Sequence, residues 1–114
     1  MRALLDTNIV IHRETSVIVR ENIGTLFHWL DKLHHAKCVH PITVDELKRH
    51  SDREVVRSIG IKLQSYQVLN TVAPLHPDVK LISDKTDTTD NDRNDSLLLN
   101  EVYCCRVELL ITED

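Results

Sequence analysis

The chain has 114 residues, 41% apolar and 28% charged, with only 2 Gly and 3 Pro. That is the size of one domain, 1–114, and the composition excludes a disordered, collagen-like or low-complexity chain. The net charge of −4 is uneven, with residues 1–83 at +2 and residues 84–114 at −6, so a polyanion could approach the second part only with cations present.

Arg2-Ala3-Leu4-Leu5 has the character of a short buried strand, and Asp6 follows it too early for a signal peptide. From about Val17 to His34, the residues Ile23, Leu26, Phe27, Leu30 and Leu33 fall on one helical face. Lys37-Cys38-Val39-His40 is a second strand, stopped by Pro41. A helix is expected from Thr43, whose hydroxyl would cap it, with Glu46 as the capping-box partner. Val55, Ile59, Leu63 and Tyr66 mark another helical face, while periodicity does not decide between strand and helix end for Gln67 to Val72.

After Pro74 and Pro77 an acidic loop is expected, with five aspartates between Asp84 and Asp95. A helix then runs from about Asn94 to Arg106, with Leu98, Val102 and Cys105 on one face, and Glu108-Leu109-Leu110-Ile111 is a last strand. The alternation predicts a small open α/β sandwich: a parallel sheet, right-handed crossovers and helices on both faces. No run nears the about 18 apolar residues of a membrane helix. Cys38, Cys104 and Cys105 lack the spacing of a disulfide framework or zinc knuckle, so reduced thiols in a cytoplasmic protein are expected.

In such sheets ligands bind beyond the carboxyl ends of the strands. Asp6 follows the first strand and Asp114 the last. Glu46 is expected in the first turn of the helix after the second strand, and Asp95 in the first turn of the helix before the last strand. The four acids would then share one edge, and an all-oxygen site of this charge suits Mg²⁺ or Mn²⁺. Each has a structural alternative, for Glu46 a capping box and for Asp95 the helix dipole. Asp6 is the hardest to explain structurally, because an acid ending a buried strand is a poor stabiliser.

Leu4-Leu5-Asp6-Thr7-Asn8-Ile9 resembles the opening of a PIN-domain ribonuclease of the toxin type (VapC-like). Val44-Asp45-Glu46-Leu47 is similar to that family's second acidic position. Asn94-Asp95-Ser96-Leu97-Leu98-Leu99 resembles the third, and Leu109-Leu110-Ile111-Thr112-Glu113-Asp114 the fourth. The resemblance spans the whole chain in the family's order. It implies a PIN-like three-layer α/β/α sandwich with a central, mostly parallel sheet, and a metal-dependent endonuclease acting on single-stranded RNA.

Carried over, Asp6, Glu46, Asp95 and Asp114 hold one or two Mg²⁺ or Mn²⁺ ions. Thr7 and Asn8 orient Asp6 or a bound water, and Asp92 is an alternate ligand to Asp95. The family often supplies the toxin of a toxin–antitoxin pair and commonly dimerises, so an antitoxin protein and a homodimer are implied partners. It also continues past the point matching Asp114 with a helix and strand, or a further domain, so a truncated chain is expected. A haloacid-dehalogenase phosphotransferase is disfavoured by Asn8, where a second Asp is needed. A receiver domain is disfavoured by the lack of an acidic pair at Leu5-Asp6-Thr7. Zinc binding by His28, His34, His35 and His40 is disfavoured by their spacing, which suits solvated histidines. The rival from another class is a non-catalytic PIN-like binding or assembly module within a longer multidomain protein.

Overall fold

Strand β1, Arg2–Leu5, is the centre of the fold, and its Ala3, Leu4 and Leu5 are fully buried. The computed structural model describes residues 1–15 and 21–112. Within them β2 (Ala36–Val39), β3 (Gln67–Val68) and β4 (Leu109–Ile111) join β1 in the order β3-β2-β1-β4. Every pairing is parallel, with Leu4 opposite both Cys38 and Leu110. Of the undecided segment Gln67 to Val72, the first two residues form the edge strand β3.

Six helices occupy the described residues: α1 (Thr7–Thr15), α2 (Glu21–Lys32), α3 (Pro41–Lys48), α4 (Arg53–Lys62), α5 (Pro77–Thr86) and α6 (Asp90–Tyr103). Strand side chains alternate between faces, and the core divides accordingly. Ala3, Leu5 and Val39 pack with Ile9 and Val10 of α1, Ile23, Phe27 and Leu30 of α2, Leu47 of α3 and Ile59 of α4. Leu4, Cys38 and Leu69 pack on the other face with Leu98 of α6 and Val107. The expected parallel α/β sandwich is thus present.

Several element boundaries differ from the sequence expectations. Helix α1 begins directly after Asp6, in a run of β-branched residues that propensity does not favour as helix; the Asp6 carbonyl accepts from the backbone of Ile9 and Val10. The described part of the next helix starts at Glu21, and the expected Val17 start lies outside the described residues. Helix α3 begins at Pro41, not Thr43. His40 caps it, Nδ1 accepting from the Ile42 N–H at 3.1 Å, and proline suits the first helical position because its missing N–H is one the helix leaves unpaired. Thr43 is fully buried inside the helix, and Glu46 stands in the second turn with no capping box.

The same cap recurs at His76-Pro77, where His76 Nδ1 accepts from the Asp78 N–H at 3.1 Å. It makes the residues up to Thr86 part of α5, and Asp90, Asp92 and Asp95 of the expected acidic loop belong to α6. Asp87 joins α5 to α6 by accepting hydroxyl hydrogen bonds from Ser83 and, at 2.6 Å, from Ser96; these donors hold its carboxyl below the usual range. Helix α6 starts four residues before the expected Asn94, because Thr89 and Asp92 form a reciprocal capping box. It ends at Tyr103, and Cys105 adopts φ 60°. Thr89→Ala should cost about 1 kcal/mol, lowering the melting temperature by roughly 4 °C. Circular-dichroism melts of wild type and variant check this.

Candidate functional site

The order β3-β2-β1-β4 reverses direction at β1, whose two neighbours are β2 and β4. The crevice beyond the carboxyl ends of β1 and β4 is where open α/β sheets bind ligands. A cleft of about 250 Å³ lies there, lined by Asp6, Asp95, Leu98, Leu99, Leu110 and Thr112.

Strand alternation explains which side chains reach it. Leu4 and Leu110 are partners on the α6 face, so the next residues on that face are Asp6 and Thr112. The Asp6 N–H extends the ladder by donating to the Ile111 carbonyl at 3.0 Å. Asp6 is 8% exposed. Its Oδ1 accepts from the Thr7 N–H at 2.7 Å and its Oδ2 from the Thr112 hydroxyl at 2.9 Å.

Asp6 therefore has a structural role as well: it directly precedes α1, and its carboxylate accepts from the helix's first N–H. Yet each oxygen of an ionised carboxylate has two acceptor positions, so both keep capacity toward the cleft. Thr112 is a site residue that sequence reasoning missed, although the Leu110/Thr112 alternation on β4 carried the signal.

Asp95 lies in the second turn of α6, not the first, and lines the cleft with Leu98 and Leu99 of the same helix. Glu46 is not among the lining residues. Its Oε1 accepts from the Asn94 side-chain amide at 3.3 Å, which ties α3 to the residue preceding Asp95. Thr7 is buried, its hydroxyl donating to that of Thr43 at 3.3 Å, whereas Asn8 is exposed.

Asp92 Oδ2 accepts from the Thr88 and Thr89 N–H groups and the Thr88 hydroxyl, so its carboxylate serves the α6 cap. Those bonds hold its pKa below the usual carboxylate range. Asp114 lies outside the described residues. Among the described residues no group of three or more His, Cys, Asp or Glu side chains could hold a metal ion. Asp6 and Asp95 are the two candidate acids brought to one cleft.

The histidines correct one expectation. His28 and His34 are exposed, but His40 is wholly buried on the α6 face, and its neighbours bear on the site from behind. His40 Nε2 lies 3.2 Å from Oε1 of Glu101, which is equally buried. Glu101 Oε1 accepts from the Ala73 N–H at 3.0 Å, and Oε2 lies 3.3 Å from Arg106 Nε. The approaches are oblique, leaving His40 Nε2 and Glu101 Oε2 without an aligned hydrogen bond. Burial lowers the His40 pKa, against the attraction of Glu101. Cys38, Cys104 and Cys105 are all free thiols.

Compared with family models, curated proteins and solved structures, the chain matches none. Among the described residues no helix is long and apolar enough to cross a membrane.

Proposed function

We propose that this chain is a PIN-like, Mg²⁺- or Mn²⁺-dependent endoribonuclease that hydrolyses single-stranded RNA. One observation carries the reading: Asp6 and Asp95 line the same cleft at the carboxyl ends of β1 and β4.

The donor set fits a hard divalent cation, which takes carboxylate oxygens. Asp6 is oriented by Thr7 and Thr112 and retains acceptor capacity on both oxygens, and Asp95 lines the same mostly apolar cleft. These two would hold the ion, with Glu46 brought toward them through Asn94, and Asp114 added by the sequence resemblance. When bound, such an ion neutralises the phosphodiester and acidifies a water for attack, so no Ser, Cys or His nucleophile is required. Thr112 keeps Asp6 from rotating, and Leu98, Leu99 and Leu110 give the cleft its apolar walls. A co-encoded antitoxin and a homodimer belong to the same proposal and follow from the toxin-type resemblance alone.

The test is incubation of the protein with a generic single-stranded RNA in millimolar Mn²⁺ and, separately, in chelator. Cleavage in the first and none in the second is expected. Mn²⁺ binding with no cleavage of any RNA would instead favour the binding or assembly module. Thr112→Val keeps the β-branched shape and removes the hydroxyl that orients Asp6. It should weaken Mn²⁺ binding by about 10- to 100-fold while moving the melting temperature little, as calorimetric titration and a thermal melt would show.

A further inference from the structure

We infer that the buried His40–Glu101 contact is a positioning device that sets α6 against α3, and so places Asn94 and Asp95 opposite Glu46 and Asp6. The inference rests on the proposed metal site for its functional meaning, but its geometry stands apart from it. Two polar contacts link α6 to α3 and its cap: Glu101 with His40, the residue that caps α3, and Asn94 with Glu46 of α3. The amino end of α3 meets the carboxyl half of α6, and the carboxyl end of α3 meets the amino half of α6. That is an antiparallel alignment.

The spacings agree. Six residues separate His40 from Glu46, about 9 Å along a helix, and seven separate Asn94 from Glu101, about 10.5 Å. Residues seven apart share a helix face, and Leu98, buried between sheet and helix, lies on that face between Asn94 and Glu101. Sliding α6 by one residue would therefore break both contacts together.

His40 holds the fixed end. It continues β2 on the face of Cys38, and the strand register carries it to the row of Asp6 on β1. Its Nδ1 is occupied by the Ile42 N–H, so the proton of the neutral ring is on Nε2, facing Glu101. Glu101 is in turn held by Ala73 and Arg106. The bond from the Ala73 N–H to Glu101 Oε1, with His40 Nε2 at 3.2 Å and Arg106 Nε at 3.3 Å, confines the Glu101 carboxylate to one place, which apolar packing alone would let slide.

Two variants and two readouts test the device. His40→Asn retains a good helix cap but is too short to reach Glu101. Glu101→Gln keeps an oxygen for Ala73 and His40 while losing the charge facing Arg106. The first readout, in metal-free protein, is the NMR cross-peak between the Asn94 side-chain amide and the Glu46 γ-protons; the second is Mn²⁺ affinity from water-proton relaxation. His40→Asn should lose most of the cross-peak and about tenfold in Mn²⁺ affinity. Glu101→Gln should keep both within twofold despite a lower melting temperature.

A merely structural role would make both readouts follow the melting temperature, and that result, or an unchanged cross-peak in His40→Asn, overturns the inference. The double variant His40→Asn/Glu101→Met leaves no unpaired carboxylate and carries the same expectation should the single variant not fold. A wild type that binds no Mn²⁺ refutes the metal site alone, and the cross-peak still judges the positioning.

Discussion

Asp6→Asn should abolish the proposed metal-dependent RNA cleavage while leaving the fold intact. The asparagine Oδ1 can still accept from the Thr7 N–H, and the Asp6 carbonyl that accepts from Ile9 and Val10 is unaffected, so the α1 start survives. The amide can donate to the Thr112 hydroxyl, reversing the present bond at Asp6 Oδ2. What is lost is the charge in the cleft. A loss on the order of 100-fold or more in cleavage rate is expected, comparable to removing one preorganised electrostatic group from an active site. The melting temperature in chelator should change by no more than a few degrees. Cleavage by the variant at near the wild-type rate would remove Asp6 from the site, and collapse of the fold would show that its structural role needs the charge.

The legible part of this fold is the part written in periodicity. The apolar run before Asp6, the face formed by Ile23, Phe27 and Leu30, and the strand ending at Ile111 all appear where patterning puts them. The missed elements are those in which local chemistry overrides the pattern. Two helices are capped by histidines, which a cap search based on Ser, Thr, Asp and Asn passes over, while Pro41 reads as the end of a strand and Pro77 as the approach to a loop. The α6 capping box was obscured by the surrounding aspartates, where Asp92 resembled one more acid of a loop or site.

For the site, the sequence places Asp6 and Asp95 at one edge because strand ends and helix starts share an edge in any parallel α/β sheet. It does not show that Glu46 reaches that region through Asn94. That contact depends on how α3 crosses the end of the sheet, which is decided by side chains far apart in the chain. Nor does it reveal Glu101, which in a helix of mixed polarity looks like a solvated acid.

Glu101→Ala should destabilise the protein by about 1–3 kcal/mol, the usual cost of leaving a buried hydrogen-bonding group without its partner. It strands the Ala73 N–H, leaves His40 Nε2 facing a void, and deprives Arg106 of its carboxylate. The His40 ring adds a pH dependence with a definite sign. Burial holds its folded-state pKa below the ordinary histidine value, so near pH 6 the unfolded chain takes up a proton that the folded chain resists. The stability His40 contributes is therefore complete above about pH 6.5 and is lost as pH falls through the folded value, by at most about 1.4 kcal/mol per pH unit for one proton. Glu101 opposes the lowering, and Arg106 reinforces it. Replacing Glu101 with Gln should thus lower the folded value further, so that the acid-side loss continues to lower pH than in wild type. Urea unfolding of wild type, Glu101→Gln and His40→Asn between pH 5 and 8 measures this. The wild-type slope below pH 6.5 should be steeper than that of His40→Asn, which has no ring to titrate. Equal slopes would mean that the folded-state pKa of His40 is not lowered, and would overturn this prediction.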